Sequence, residues 1–573
     1  MPRSHLSRAL RPLVTSWTAG LLVALHVCAA PVRAQAAGPG AHDAAVTPLL
    51  REASRAGQLD GLRWPRYADY RYIIDSLYSM NGWRPVWTSG GRPTRDAREA
   101  LELLRTARDR ALEPEDYDVP ALERRLAELS RGGSAPARDV AWAEMALTVG
   151  LLRHLSDVHI GRVNPRTLAV GINVQPKKLD LARVVRDAVA ARRVGSLVRD
   201  VEPRFAQYRS LLLAHARYRA LADSQLPLVK APRTAKPGDR FADVATLRRR
   251  LVAFADLTPA DLAASSGDTT YDARTVAAVA RFQARHGLAP DGVLGPATVA
   301  AVNVAPAVRV KQLAMAIERI RWLPALDDGP FIVVNVPSFE LYAFDAIGGE
   351  GTPSLIMNVV VGKAGAGRAT PLFEDEMRYI VFRPYWVIPP GIMRSEILPA
   401  VRRDRGYLAR NDMELYQGDG DNGRAIATTS ANLARVASGA LGIRQRPGPR
   451  NALGPAKFIF PNDHNVYLHG TPAIDLFSLA RRDFSHGCIR VQDPAALAEW
   501  VLRDPARWAR AQIEAAMQGR PSNRVDLVRP LPVTIYYTTA VVRPGGVVAF
   551  YGDVYGHDAR LERALAKGYP YAP

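Results

Sequence analysis

Apolar residues recur along this chain with two different periods, and the change of period divides it. From residue 47 to about 230, Ala, Leu and Arg dominate, and in segments 97–112 and 140–155 apolar residues recur every three or four positions. That spacing is typical of amphipathic helices, and proline and glycine separate the segments. We therefore predict a helical scaffold domain over residues 37–230, which begins with a flexible leader.

A short unit follows a linker at residues 231–238 that contains proline and glycine. The pattern of this unit predicts three short helices in a module over residues 240–304. Asp272 precedes the second helix, where a carboxylate can accept hydrogen bonds from the unpaired amides of the first turn. The buried face of that helix would consist of Val276, Val279 and Phe282. Such a module is too small for catalysis but is suited to docking.

From about residue 331, short runs of β-branched and aromatic residues bounded by Pro and Gly replace the helical period, which predicts strands. These runs are 331–336, 341–344, 355–362, 379–384, 457–460 and 466–469. The runs indicate a β-rich domain over residues 305–530. Further strands at 533–538 and 547–551, within the C-terminal segment 531–573, are predicted to complete its sheet.

A long insertion interrupts the β-rich domain between Trp386 and about Pro455. Residues 395–403 read as helical, and the remainder is rich in Gly, Asn and Pro. Because long connections beside a site often close over it, we expect a lid over about 387–455. The fold class is therefore multidomain α and β.

The N-terminal 36 residues have the pattern of a secretory signal peptide. Arg3, Arg8 and Arg11 precede a mostly apolar stretch from Leu13 to Ala30, and Ala34-Gln35-Ala36 matches a cleavage site. We therefore expect the protein to be exported. An uncleaved inner-membrane anchor is the alternative, since the apolar stretch is nearly long enough to span a bilayer.

Composition and charge narrow the function classes. With 573 residues, 48% of them hydrophobic and 23% charged, the chain is an ordinary multidomain globular protein rather than a disordered, fibrous or polytopic membrane protein. The net charge of +20 favours anionic surroundings. Because the basic residues are scattered along the chain, we expect no nucleic-acid partner.

The chain has two cysteines, and Cys28 lies inside the predicted signal peptide. An exported chain whose single remaining thiol is Cys488 makes that thiol a candidate nucleophile. His469, nineteen positions upstream, ends a predicted strand and could act as its base. The carbonyl of Gly470 could orient the imidazole.

The residues around Cys488 add two further expectations. The amides around Gly487 and Cys488 could stabilise an oxyanion, and the guanidinium of Arg490 suits a substrate carboxylate. A zinc site built from His469, His486 and Cys488 is a weaker alternative, since no fourth ligand is evident.

Two segments carry a resemblance to known families. The module, with Phe-Gln-x-x-His-Gly-Leu and Asp-Gly-Val-x-Gly-x-x-Thr, resembles the peptidoglycan-binding helical domain. The pattern His…Ser-His-Gly-Cys-Ile-Arg resembles the L,D-transpeptidases with a YkuD-type catalytic domain, in their large Gram-negative subclass. Supporting segments are Arg-Trp-Leu-Pro (321–324), Val-Asn-Val-Pro (334–337) and Tyr-Trp-Val-Ile-Pro-Pro (385–390).

The resemblance implies a role for each matching residue. Cys488 would be the nucleophile and His469 the base, oriented by Gly470. The substrate and oxyanion pocket would be shaped by His486, Gly487 and Arg490, with Ser485 supporting the turn and Tyr467 and Trp386 lining the donor site. Val387 departs from the family, in which Asn often follows the tryptophan, so the details of the lid wall are left open.

The implied reaction joins two peptidoglycan stem peptides, so the resemblance also implies that the exported protein resides in the periplasm and associates with the cell wall. Cys488 would attack a tetrapeptide stem at the third residue, meso-diaminopimelate, release the terminal D-Ala and pass the acyl group to a second stem in a 3→3 cross-link. Such enzymes need no metal or other cofactor, and carbapenems typically acylate their cysteine. Attachment of an envelope protein to the wall, L,D-carboxypeptidase or cross-link hydrolase activity, and a non-catalytic wall-binding role remain alternatives.

Overall fold

The computed structural model describes most of the chain after residue 39. The described residues are 40–131, 135–168, 177–231, 234–265, 267–324, 326, 328–347, 351–365, 367–519 and 521–569. The predicted signal peptide, including Cys28, lies outside them. Within these ranges, no helix combines the length and the apolar character needed to cross a membrane.

The N-terminal region is helical, as the sequence predicts. Its helices are α1 (Ala41–Ala56), α2 (Arg71–Ser79), α3 (Arg95–Arg105), α4 (Val119–Ser130), α5 (Ala137–Ile160), α6 (Leu181–Ala190), α7 (Leu197–Val201) and α8 (Ala206–Asp223), with a small hairpin of β1 (Thr88–Ser89) and β2 (Arg92–Pro93). Helix α5 is central: α1, α3 and α4 pack around it, and most of its side chains are buried.

A buried carboxylate on α5 holds the hairpin in place. Both oxygens of Glu144 accept hydrogen bonds from the backbone amides of Val86, Trp87 and Thr88. Burial raises the pKa of Glu144 to about 7, and these amides act in the opposite direction. The carboxylate of Glu144 therefore serves as the acceptor for these three backbone amides, in place of a carbonyl of a neighbouring strand.

The docking module consists of four short helices instead of the three predicted. They are α9 (Val244–Ala253), α10 (Pro259–Ala264), α11 (Ala273–Ala284) and α12 (Pro296–Val302). The additional helix, α10, forms because Thr258 caps the amide of Asp261 and Pro259 occupies the first helical position. Asp272 caps α11 as predicted, with its carboxylate 2.8 Å from the Thr275 amide.

A buried glutamine ties α11 to the loop that precedes α12. The Gln283 amide nitrogen donates to Asp291, Val293 and Thr298, and its oxygen accepts from the Gly292 amide at 2.8 Å. We expect Gln283→Leu to lower the free energy of unfolding by about 2–3 kcal/mol, because it leaves buried polar groups unpaired. Denaturant unfolding measures this. The exposed Arg274→Ala on the same helix is the control and should change stability by less than about 0.5 kcal/mol.

A long helix connects the module to the β-rich domain. Helix α13 (Pro306–Trp322) packs along α8 and carries Glu318 and Arg321, which are fully buried. The residues of α13 lie inside the range predicted for the catalytic domain, 305–530, but they extend the helical layer. The first strand of the β-rich domain begins at Phe331.

The remaining residues form two sheets, a hairpin and the helices that cover them. The strands are β3 (Phe331–Asn335), β4 (Glu340–Phe344), β5 (Leu355–Gly362), β6 (Glu374–Phe382), β7 (Trp386–Val387), β8 (Met413–Gln417), β9 (Arg424–Ile426), β10 (Gly442–Gln445), β11 (Ala456–Ile459), β12 (Leu468–His469), β13 (Asp483–Ser485), β14 (Ile489–Val491), β15 (Asn523–Tyr536), β16 (Ala540–Arg543) and β17 (Val547–Phe550). The helices are α14 (Pro390–Ile392), α15 (Leu398–Arg403), α16 (Tyr407–Arg410), α17 (Ser430–Ala437), α18 (Pro494–Leu502), α19 (Arg510–Gln518) and α20 (His557–Ala566).

The larger sheet has nine strands in the order β13-β5-β14-β12-β11-β6-β15-β3-β4. Strand β4 also pairs with β5, so the sheet curls back on itself. Its apolar side chains form one core with helices α18 and α19. The strand that completes it from the C-terminal side is β15, which lies between β6 and β3.

The second predicted C-terminal strand, 547–551, does not complete this sheet. Strands β16 and β17 pair only with each other and pack on the helical layer instead. Arg285 of the module donates to the Val548 carbonyl at 2.8 Å, and its own carbonyl accepts from the Phe550 amide. These long-range hydrogen bonds hold the hairpin against the module. The predicted strand therefore forms as β17, but the prediction that it completes the larger sheet is wrong.

The predicted lid contains the expected helical pieces and, in addition, a small sheet that the sequence did not predict. Strands β7, β10, β8 and β9 form a four-stranded sheet in that order. Helices α14 and α15 pack on it, joined by a π-helical segment, Met393–Ile397. The lid has its own apolar core, which includes Ile388, Leu415 and Ile443.

Candidate active site

Three adjacent strands bring two cationic side chains and a histidine into one row. Lys457 of β11 is the register partner of His469 on β12, and His469 is the partner of Arg490 on β14. Register partners point to the same face of a sheet. Lys457, His469 and Arg490 therefore stand side by side on one face.

Cys488 and Tyr467 extend this face by one row. They lie two positions before Arg490 and His469, and alternate residues of a strand share a face. The chain segments stay paired there, since the Ile489 amide donates to the Tyr467 carbonyl at 3.1 Å. The structure thus gathers four of the predicted site residues, His469, Cys488, Arg490 and Tyr467.

His469 is buried and held in one tautomer. Its Nδ1 lies 2.5 Å from the carbonyl oxygen of Gly470, which can only accept, so Nδ1 carries the proton and Nε2 keeps its lone pair. Burial, followed by the charge of Arg490, lowers the pKa of His469 to about 3, whereas the Gly470 and Leu453 carbonyls oppose that shift. The imidazole is therefore neutral at neutral pH.

The thiol of Cys488 is also neutral. Burial raises its pKa, and three contacts act in the opposite direction: the amide and hydroxyl of Tyr467 and the charge of Arg490. The sulfur lies 3.7 Å from the carbonyl oxygen of Asn465. Two neutral groups favour a mechanism in which the imidazole accepts the thiol proton as the sulfur attacks. They do not favour a preformed pair of thiolate and imidazolium.

A tight turn presents the thiol. The hydroxyl of Ser485 donates to the Cys488 carbonyl at 2.5 Å and accepts from the Gly487 amide at 3.1 Å. Gly487 has φ +129°, a conformation that favours glycine, and its carbonyl accepts from the Thr370 hydroxyl at 2.8 Å. The Gly487 amide therefore already donates a hydrogen bond to Ser485. Of the two amides predicted to stabilise an oxyanion, the Cys488 amide is the one that has no acceptor within the described chain.

His486 faces the lid. Its Nε2 lies 2.7 Å from Oε1 of Glu396, which also contacts Arg368 at 3.3 Å. Glu396 belongs to the π-helical segment, a local irregularity often found at functional sites. The contact joins the lid to the turn that carries Cys488.

Trp386 lies on the lid sheet. It begins β7, pairs with Gln445 of β10 and packs on the apolar core of the lid. This places it at the base of the lid, next to Tyr385, which is stacked under the Arg444 guanidinium at 4.2 Å. Its predicted role at the donor site stays a prediction.

Family comparisons match separate parts of the chain to three domains. Residues 329–529 match the L,D-transpeptidase catalytic domain (YkuD), residues 241–302 a "Putative peptidoglycan binding domain" and residues 73–214 a "Scaffold domain". Residues 329–529 are therefore similar to an L,D-transpeptidase catalytic domain. This confirms the resemblances seen in both sequence motifs.

A curated relative is similar to part of the chain. The chain is 28% identical over 255 residues to a protein of Haemophilus influenzae named "Putative L,D-transpeptidase". The match covers 44% of this chain and 49% of the relative, so the chain spans about half the length of that protein.

Three residues of the candidate site were not predicted from the sequence: Lys457, Asp421 and Glu396. Lys457 lies in a predicted strand, and knowledge of the strand register would have placed it beside His469. Asp421 and Glu396 lie in the lid, where no local pattern marks them. Within the described ranges, no three His, Cys, Asp or Glu side chains gather in a way that could hold a metal ion.

The contact between Glu396 of the lid and the turn that carries Cys488 leads to a prediction. Glu396→Gln removes the charge that joins His486 and Arg368, and partly exposed ion pairs contribute up to about 1 kcal/mol. We expect amide hydrogen exchange in residues 390–403 to accelerate by about two- to fivefold. Asp404→Asn, which removes a carboxylate just after α15, is the matched control. Equal rates of amide exchange in the two variants would contradict the inference that Glu396 holds the lid to the turn that carries Cys488.

Proposed function

We propose that this protein is an L,D-transpeptidase that forms 3→3 cross-links in peptidoglycan through a thioester on Cys488. The donor is a tetrapeptide stem, and the reaction releases its terminal D-Ala. The observation that carries the proposal is the shared sheet face on which a buried neutral imidazole and a half-buried thiol stand in neighbouring rows.

In the first step, Nε2 of His469 accepts the thiol proton as Sγ of Cys488 attacks the carbonyl carbon of the third stem residue. The Cys488 amide is free to stabilise the oxyanion. When the tetrahedral intermediate collapses, the C–N bond to D-Ala breaks, and the imidazolium returns the proton to the leaving amine. A thioester remains on Cys488.

In the second step, an amine of another stem attacks the thioester. His469 removes a proton from the attacking nitrogen, the C–S bond breaks, and the thiolate recovers a proton. The base must be neutral at the start of both steps, and the low pKa of His469 maintains that state. The Gly470 carbonyl holds the proton on Nδ1 and so leaves the lone pair on Nε2.

The charges around the row suit an anionic substrate. Arg490 and Lys457 flank His469, and stem peptides carry carboxylates, so we assign the substrate carboxylate to Arg490. The peptidoglycan-binding module supports the wall as partner, and periplasmic export follows from the predicted signal peptide. A carbapenem should acylate the same thiol.

Incubation of the purified protein with tetrapeptide stems tests the proposal. Intact-mass spectrometry should show a covalent adduct on Cys488, and product analysis should show cross-linked dimers. Tripeptide without dimers would mean that water is the acceptor and would replace the transpeptidase with an L,D-carboxypeptidase. Absence of any adduct with either stems or a carbapenem would leave only a wall-binding role.

A further inference from the structure

The lid delivers a turn to the active-site face. This turn, Gly420–Asn422, connects β8 to β9. The buried side chain of Arg444 donates to the carbonyls of Gly420 and Asp421 at 2.8 and 3.0 Å and pairs with Glu414. A fixed guanidinium therefore sets the position of the turn, which limits the freedom of the Asp421 side chain.

Asp421 reaches the row of active-site side chains. Its Oδ2 lies 3.0 Å from Nζ of Lys457, the register partner of His469. Its charge also reaches the phenol of Tyr467, the residue that contacts the Cys488 sulfur. The lid thus places one carboxylate directly over the strands that carry the thiol and the imidazole.

The second carboxylate oxygen of Asp421 is not hydrogen-bonded within the described structure. Oδ1 is buried, and among the described residues it has no hydrogen-bond donor. A buried carboxylate oxygen without a donor is costly. An ammonium group of a bound ligand would satisfy it.

The two sides of the site carry opposite charges. The sheet contributes Arg490, whose buried Nε is also without an acceptor in the described chain, and the lid contributes Asp421. A ligand that carries a carboxylate and an ammonium on one side chain would pair with both. The chemical class that fits is a diamino dicarboxylic acid, whose side chain ends in a carbon atom that carries both an ammonium and a carboxylate.

We propose that Asp421 is a specificity-determining residue that binds the side-chain ammonium of the donor stem's diamino acid. The proposal rests on the function proposed above. It makes the lid selective: a donor with the ammonium gains a charge-assisted hydrogen bond at Oδ1, and a donor without it leaves that oxygen unpaired.

The test compares two tetrapeptide donors in single-turnover reactions with the protein in excess, so that little free stem remains to act as an acceptor. One carries diaminopimelate at the third position, and the other carries 2-aminopimelate, which lacks the side-chain amine. The rate of adduct formation on Cys488, followed by intact mass, should favour the first donor by about tenfold or more in the unmodified protein. Asp421→Asn should reduce that preference to about twofold or less.

Asp419→Asn is the matched control, because it removes a carboxylate from the same turn at an exposed position. It should keep the tenfold preference. Equal slowing of both donors in Asp421→Asn would show a purely structural role in docking the lid and would overturn the proposal. A preference that appears only in transfer to an acceptor would assign the residue to the acceptor and would also overturn it.

Failure of the proposed function gives a different result. In that case the unmodified protein forms no adduct with either donor, so no preference can be measured. If adducts form at equal rates with both donors in the unmodified protein, the thioester chemistry stands and the role of Asp421 is rejected.

Discussion

Cys488→Ser is expected to abolish adduct formation with tetrapeptide stems and with carbapenems. The hydroxyl of serine is a far weaker acid than a thiol, and the site offers a neutral imidazole and no preformed ion pair to activate it. We expect the rate of transfer to fall by at least about a thousandfold. Intact-mass spectrometry and chromatographic analysis of the products measure both effects.

The control for Cys488→Ser is a measurement of the variant's free energy of unfolding, which shows whether the variant is folded. Serine is close to cysteine in volume, and the neighbouring hydrogen bonds of Ser485 involve only backbone groups of residues 487 and 488. The variant should therefore unfold within about 1 kcal/mol of the unmodified protein. Retained cross-linking in a folded Cys488→Ser protein would reject the thioester mechanism.

His469→Asn is expected to reduce the rate of adduct formation by about a hundredfold to ten-thousandfold. Asparagine can still donate a hydrogen bond toward the Gly470 carbonyl, but it has no basic nitrogen. The comparison therefore separates proton transfer from the positioning of the turn. A variant that forms the adduct at the normal rate would show that another group accepts the thiol proton.

The pH dependence of adduct formation provides a second measurement on His469. Because its pKa is lowered to about 3, the imidazole stays unprotonated well below the ordinary histidine range near 6.5. We therefore expect no loss of rate centred near pH 6.5 in the unmodified protein. A fall of the rate with a midpoint near 6.5 would contradict this environment for the imidazole.

The same pKa shift affects stability, with a defined sign. An unfolded histidine binds a proton below about pH 6.5, whereas folded His469 does so only near pH 3, so its contribution to stability is lost as the pH falls through this window. At pH 5 the loss is about 2 kcal/mol relative to pH 7. Denaturant unfolding of the unmodified protein and of His469→Asn at both pH values should show this difference between them.

Much of the domain organisation could be predicted from local patterns. Helical spacing around residues 97–112 and 140–155 predicted the scaffold, and the cap at Asp272 marked a helix of the module. These features depend on neighbours a few positions apart, which a sequence displays directly. The hairpin of β16 and β17 was misplaced because its partners, Arg285 and helix α13, are more than two hundred residues away.

The chemistry of the site divides in the same way. By itself, the sequence determined the candidate thiol and the glycine turn, because Ser-His-Gly-Cys confines both to a short segment, and it determined the candidate base, because His469 ends a recognisable strand nearby. Only the tertiary structure decided that Lys457 stands beside His469 and that Asp421 and Glu396 come down from the lid. Strand register and lid docking arise from packing between distant segments, so no local pattern of residues encodes them.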